Sequence, residues 1–300
     1  MTVDFINVGY GDAILIENNG RIILVDGGGN REDMYSQPAT VRTIDYLRQK
    51  NIKKIDIVII THFHEDHICG LVPVLEEIET DQIWINVLVE NIPNDFIKRI
   101  KKINNDKLNL FIAGMESYIR IIEIAYQKQI PIIEMCNCVA DDDIVIEGNT
   151  IAQQDVYRGQ VFNMFCEKNI KKLELMALSI DRTANENSLI VKIKGEDGSA
   201  YLMGDRIINS RAINEESNIK LLKLPHHGQA GCITEELLEY ISPENVVITS
   251  DKNNTFGGGS DDIVDMINNF YKKIKSHGKV YVTGKENNDG RYKSNISFSI

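Results

Sequence analysis

Along the first sixty residues, short apolar runs alternate with turn residues, and the runs have the length and period of β-strands. Residues 4–8, 13–17 and 21–25 predict three strands. Gly9-Tyr10-Gly11-Asp12 separates the first two. Asn18-Asn19-Gly20 predicts a tight hairpin between the second and third, because Asn and Gly tolerate left-handed backbone. Residues 39–50 place Val41, Ile44 and Leu47 on one helical face. Residues 55–60 are almost wholly apolar and β-branched, the pattern of a strand buried on both faces.

The middle of the chain differs in character. Residues 71–78 predict a helix, 82–89 a strand, and 94–128 mostly helix. Residues 130–135 and 143–151 predict strands, the latter interrupted by a turn at Glu147-Gly148-Asn149, while 155–178 carry no clear period. Regular alternation then resumes, with strands predicted at 187–194, 200–203, 219–224, 246–248 and 280–282. Helices are expected from the capping Thr234 to residue 240 and over 263–274. The spacing suggests two similar β-rich halves, each followed by helices, within one domain over residues 1–300. Part of 71–180 is read as a largely helical insertion that shapes the substrate entrance.

Charge changes the picture in one respect. The net charge of −11 argues against non-specific binding to nucleic acid or to an anionic membrane. Basic stretches at 98–102, 168–172 and 272–275 keep a nucleic-acid substrate open, although each also suits a solvated helix face. No apolar run reaches the roughly 18 residues needed to span a bilayer, and the N-terminus does not read as a signal peptide. Five cysteines, an odd number, read as free thiols in a reducing cytoplasm. Cys136 and Cys138 alone would make a poor metal site.

The candidate chemistry centres on Thr61-His62-Phe63-His64-Glu65-Asp66-His67, which hangs directly from the buried strand at 55–60. At ordinary residue frequencies this pattern arises by chance in roughly one chain in ten thousand. His62 and His64 are two apart, so in extended backbone they point to the same side. Asp66 and His67 lie past the turn and can face a second ion. Imidazoles with a carboxylate suit Zn²⁺, Mn²⁺ or Fe²⁺.

Two further segments complete a pattern: Tyr201-Leu202-Met203-Gly204-Asp205 and Leu222-Lys223-Leu224-Pro225-His226-His227-Gly228, each ending a predicted strand. With the first motif they resemble the metallo-β-lactamase superfamily. Within it they are most similar to the hydrolase domain of the ComEC-type competence DNA-uptake channel and its free-standing relatives. Val8-Gly9-Tyr10-Gly11-Asp12, Asp26 and the segment Asn185, Asn187, Ser188 add to the likeness, which covers about 1–75 and 185–300. The resemblance implies an α/β fold, a four-layer αββα sandwich, with two divalent metal ions at one edge. It implies His62, His64 and Asp205 at one ion, with Asp205 bridging to a second ion held by Asp66, His67 and His227. Of the adjacent pair, His227 is favoured as the ligand, leaving His226 to contact substrate or protonate a leaving group. Asp66 would also orient the attacking water, Asp26 would support the ligand loop from behind, and Asn187, Ser188 and Gly228 would meet substrate. Asp12 reads as structural.

The sequence departs from the wider superfamily at three places. No histidine lies between His67 and His226, so the first ion has fewer protein ligands and a harder ion such as Mn²⁺ becomes plausible. The turn often found as Gly-Gln-Gly-Asp is Gly9-Tyr10-Gly11-Asp12. A Gly-His-Pro expected after the Asn-rich loop is replaced by residues 253–260, and His277 reads as a surface residue at a helix end. The expected activity is hydrolysis of a phosphate ester, above all a phosphodiester, by water activated between two ions. Hydrolysis of a carboxylic ester, lactone or thioester is the alternative within the enzyme class. A metal-binding regulator or sensor with little turnover is the alternative outside it.

Overall fold

The computed structural model describes residues 1–208, 218–286 and 291–300. Fourteen strands occur among them. Those of the first half are β1 (Thr2–Ile6), β2 (Ile14–Asn18), β3 (Arg21–Val25), β4 (Lys54–Ile60), β5 (Glu79–Ile85) and β6 (Ile132–Glu134). Those of the second are β7 (Cys138–Asp141), β8 (Ile144–Glu147), β9 (Ile190–Lys194), β10 (Ser199–Leu202), β11 (Ile219–Lys223), β12 (Asn245–Ile248), β13 (Lys279–Val282) and β14 (Asn295–Ser299). The helices are α1 (Glu32–Tyr35), α2 (Thr43–Gln49), α3 (Glu65–Ile68), α4 (Leu71–Glu77), α5 (Phe96–Ile100), α6 (Asn109–Lys128), α7 (Ile151–Cys166), α8 (Ile170–Ala184), α9 (Glu235–Ile241) and α10 (Asp261–Lys273).

The strands form two seven-stranded sheets, ordered β14-β1-β2-β3-β4-β5-β6 and β13-β12-β11-β10-β9-β8-β7. In each sheet an antiparallel group passes into a parallel one, at β3–β4 in the first and at β10–β11 in the second. β14 crosses back to pair antiparallel with β1, Thr2 opposite Ser299.

Strand alternation sorts the core into layers. On β4, Ile57 and Ile59 face the space between the sheets, with Phe5, Val25, Val191, Leu202 and Val247. Val58 and Ile60 face the other way, into a layer with Leu47 of α2, Leu75 of α4, Met115 of α6, Phe165 of α7 and Leu173 of α8. Tyr201, Leu222 and Val246 pack the outer face of the second sheet against Leu238, Ile267 and Phe270 of α9 and α10. The result is the four-layer αββα sandwich. No helix among the described residues is long and apolar enough to cross a membrane.

Two regions differ from the sequence reading. Residues 155–178, which carry no clear period, lie in α7 and α8. On α7, Ile151, Val156 and Phe162 are exposed while Tyr157, Val161 and Phe165 are buried, so apolar residues on both faces erase the helical stripe. The Thr150–Gln153 capping box was the available signal. β7 and β14 are strands that the pattern did not single out.

Candidate metal centre

The site residues gather at the carboxyl ends of parallel strands, where an α/β sheet leaves a crevice. His62, His64, Asp66 and His67 follow β4, Asp26 follows β3, Asp205 follows β10, and His226 and His227 follow β11. His226, His227 and Gly228 all have left-handed backbone (φ 49°, 54° and 69°). Such a run is uncommon outside glycine, and here it turns two imidazoles in different directions. The turn is held by the His226 amide donating to Gly204 O at 3.1 Å and the Gly259 amide donating to His227 O at 2.9 Å.

His67 Nε2 lies 3.2 Å from Asp205 Oδ1 and 4.0 Å from Asp66 Oδ2. His227 Nε2 lies 3.4 Å from Asp205 Oδ1, 3.1 Å from Asp66 Oδ2 and 3.2 Å from His67 Nε2. Beside this group, His62, His64 and Asp205 form a second, with donor atoms all within 4.8 Å of one another. His62 Nε2 is 3.9 Å from Asp205 Oδ2. Asp205 belongs to both groups.

The other face of each imidazole is anchored. His67 Nδ1 meets Asp26 Oδ2 at 2.8 Å, and Asp26 also accepts from the Thr61 amide (2.9 Å) and hydroxyl (2.6 Å). His62 Nδ1 lies 3.1 Å from Thr61 Oγ1. His227 Nδ1 faces the Thr249 carbonyl at 3.1 Å. His64 Nε2 faces the Asp181 carbonyl at 3.1 Å and its carboxylate at 3.4 Å. These contacts select a tautomer and leave one nitrogen of each ring for the centre, as outer partners of metal-binding histidines do.

Asp12 lies behind this cluster. It also falls within 4.8 Å of His67, Asp205 and His227 donor atoms. Its oxygens, however, face the Nδ1 edges of His227 and His67 at 3.4 and 3.8 Å, accept from Thr249 Oγ1 at 2.5 Å and pair with the fully buried Lys223. Asp66, by contrast, faces the Nε2 edges of His227 and His67. Lys223 also donates to Gly204 O at 2.9 Å.

The donors fit divalent metal. His62 Nε2 and Asp205 Oδ1 are buried without a hydrogen-bond partner, which is costly for polar atoms that have no ion to satisfy them. Burial drives His67 and His227 toward the neutral form, yet Asp205 and the neighbouring carboxylates outweigh it and raise both well above the usual imidazole value. The pocket is built to hold positive charge. His62, surrounded by other imidazoles, is instead lowered by burial and by His67. Burial and the adjacent Asp66 push the Glu65 carboxyl up to about 7.

A cavity of about 280 Å³ opens over the cluster, with His64, Asp66, Asp205 and His226 in its lining beside Tyr10, Phe111, Asp181 and Asn185. His226 Nε2 meets the Asn185 side-chain amide at 3.1 Å. Asn187, Ser188 and Gly228 do not line it. Asn187 is bonded to Asn149 and to Thr183 O, Ser188 Oγ accepts from the Asp205 amide at 3.2 Å, and Gly228 packs against Ile248. Asn185 takes the wall position. Asp12 has the structural surroundings expected of it, whereas sequence reasoning missed Lys223, Thr249 and Asp181. Only Lys223, a cation between Leu222 and Leu224 at the apolar end of its strand, carried a visible signal.

Residues 6–116 match the family model described as Metallo-beta-lactamase superfamily. The chain is 25% identical over 274 residues to ComE operon protein 3 of Bacillus subtilis (strain 168), covering 85% of this chain and 29% of that protein's length. Igni18, a metallo hydrolase from the hyperthermophilic archaeon Ignicoccus hospitalis KIN4/I, superimposes with TM-score 0.51 at 17% identity, covering all of both chains. The metallo-beta-lactamase fold protein YhfI from Bacillus subtilis does so with TM-score 0.50 at 12% identity, again over both full lengths.

Proposed function

We propose that this chain, which has the metallo-β-lactamase fold, is a dinuclear metal-dependent hydrolase of phosphate esters, phosphodiesters above all. One observation carries the reading: two adjacent donor groups, buried except for the half-buried His64, share Asp205. His62 and His64 would hold the first ion, Asp66, His67 and His227 the second, and Asp205 would span both. Two divalent ions there, Zn²⁺ by donor type or Mn²⁺ given the sparse first site, would neutralise phosphoryl oxygens and ease deprotonation of water.

The chain's own residues supply the rest. Asp26, Thr249 and Asp181 fix the ring orientations. His226, its side chain 26% exposed and braced by Asn185, would hand a proton to a leaving oxygen. Leu110 and Phe111 of α6 and Asp181 of α8 wall the cavity, so the helices between residues 71 and 180 and the start of the next turn would set which ester enters. A small phosphodiester suits this volume and the net charge better than a long nucleic acid. Five free cysteines would suit a reducing cytoplasm.

The test is metal analysis of the purified protein, with assays of bis-p-nitrophenyl phosphate, p-nitrophenyl acetate and single-stranded DNA under Zn²⁺, Mn²⁺ and Fe²⁺. About two bound ions, and phosphodiester cleavage lost in His64→Ala/Asp205→Ala, is the expected result. Cleavage of the carbon ester alone would replace the phosphodiester reading. Bound metal with no turnover of any ester would favour a regulator.

A further inference from the structure

We infer that Tyr10 is a substrate-contacting residue, its phenol O–H donating a hydrogen bond to a phosphoryl oxygen of the bound ester. The inference rests on the phosphate-ester reading. Tyr10 is the second residue of the turn Gly9-Tyr10-Gly11-Asp12. Its side chain lines the cavity over the metal ligands while the residue is only 7% exposed. The ring centroid lies 4.4 Å from that of His227 and 5.2 Å from that of Phe256, which packs edge-on against it.

The hydroxyl is half-satisfied. It accepts from Gln229 Nε2 at 3.0 Å. Among the described residues no acceptor for its own proton is found. A buried phenol that has an assigned donor and a free proton, facing a cavity, is built to receive an acceptor from outside. The anionic oxygens of a phosphate ester are such acceptors.

The position is fixed in advance. Gly9 and Gly11 flank Tyr10 with φ of 83° and 131°, conformations that other residues rarely adopt. A Cβ on Gly11 would overlap the Asp66 carbonyl oxygen, and the Asp12 amide donates to that same oxygen at 3.1 Å. The turn therefore lies directly on the ligand loop, and the phenol is held relative to Asp66 by backbone contacts. Preorganised donors of this kind contribute most where charge develops during reaction.

The experiment uses Tyr10→Phe, which keeps the ring on His227, and Tyr10→Gln, which returns a donor at the same place. Inorganic phosphate affinity of the metal-loaded protein is read by calorimetry, and kcat and KM on bis-p-nitrophenyl phosphate alongside. Metal content and the urea midpoint are measured in each variant. We expect Tyr10→Phe to keep both ions and its midpoint, to bind phosphate about tenfold more weakly, and to lose about 10- to 100-fold in kcat/KM, at most the lower bound for a deleted oxyanion donor. Tyr10→Gln should recover part of that loss. Unchanged phosphate affinity and kcat/KM in Tyr10→Phe, with wild-type turnover intact, overturns this inference alone. A loaded wild type that neither binds phosphate nor cleaves any phosphate ester overturns it together with the phosphate-ester reading.

Discussion

Replacing Gly114 with alanine should destabilise the protein, against the ordinary preference of helices. Gly114 lies inside α6, past its first turn, where alanine is normally favoured by about 0.8–1.0 kcal/mol. Here α6 crosses the loop of His62, His64 and Asp66 so closely that a Cβ would overlap the Phe63 carbonyl oxygen and stand 3.2 Å from the Glu65 amide nitrogen. Both neighbours are backbone, so neither can rotate aside. Gly159 in α7 is the matched control, because a Cβ there meets nothing within 4 Å. Helix propensity is common to the two substitutions and cancels in their difference. What remains is the cost of forcing a methyl group into packed backbone, about 1–3 kcal/mol. Urea unfolding should therefore find Gly159→Ala slightly more stable than wild type and Gly114→Ala less stable than Gly159→Ala by that amount. Phe63 sits between His62 and His64, so the same displacement should weaken metal bound by those two residues about tenfold in a chelator competition, as loss of an outer support does. Equal stabilisation by both alanines would show that the ligand loop is not clamped by α6 as described.

Other outcomes follow from the same geometry. Asp26→Asn should lower metal affinity about 10- to 100-fold in a competition with a chromophoric chelator, since it changes the group that fixes His67. Removing metal should lower the urea midpoint, and restoring an ion to 100 times its Kd should return about 2.7 kcal/mol; a midpoint indifferent to metal would contradict a site that forms only in the folded chain. For Asp4, burial raises the carboxyl, but hydrogen bonds from Lys50, Ser297 and Tyr46 prevail and hold it below 3.8. A depressed folded value gives stability that is present above the unfolded pKa and lost as pH falls through the folded one. The advantage of wild type over Asp4→Asn in urea should thus be full near neutral pH and shrink below about pH 4, the unfolded range; an advantage that grows on acidification would reverse the assignment.

Much of this was legible in the sequence because the residues concerned are local. The strand of Ile57, Val58, Ile59 and Ile60 announces burial on both faces, and the histidines that follow it need only the geometry of its end. The hairpin at Asn18-Asn19-Gly20 was equally plain, and Asn19 and Gly20 adopt φ of 52° and 77°. What the sequence hid depends on distant partners. Lys223 and Asp12 are 211 positions apart yet form one buried pair, and Asp181 reaches His64 only because α8 folds back over the first sheet. α7 was invisible for another reason: its exposed face carries apolar residues where a period would need polar ones.

The last turn of α8 has a consequence for redesign. Asp181 and Asn185 are four residues apart, so they lie on one helical face, and from it they reach His64 and His226 on separate walls of the cavity. An engineer who wishes to change the entrance can vary the exposed Leu110 and Lys107, but not Phe111, which is buried against Phe63. Recruiting a foreign α8, by contrast, requires grafting those two anchor positions with it. Without them the new doorway would arrive with both of its hinges unfastened.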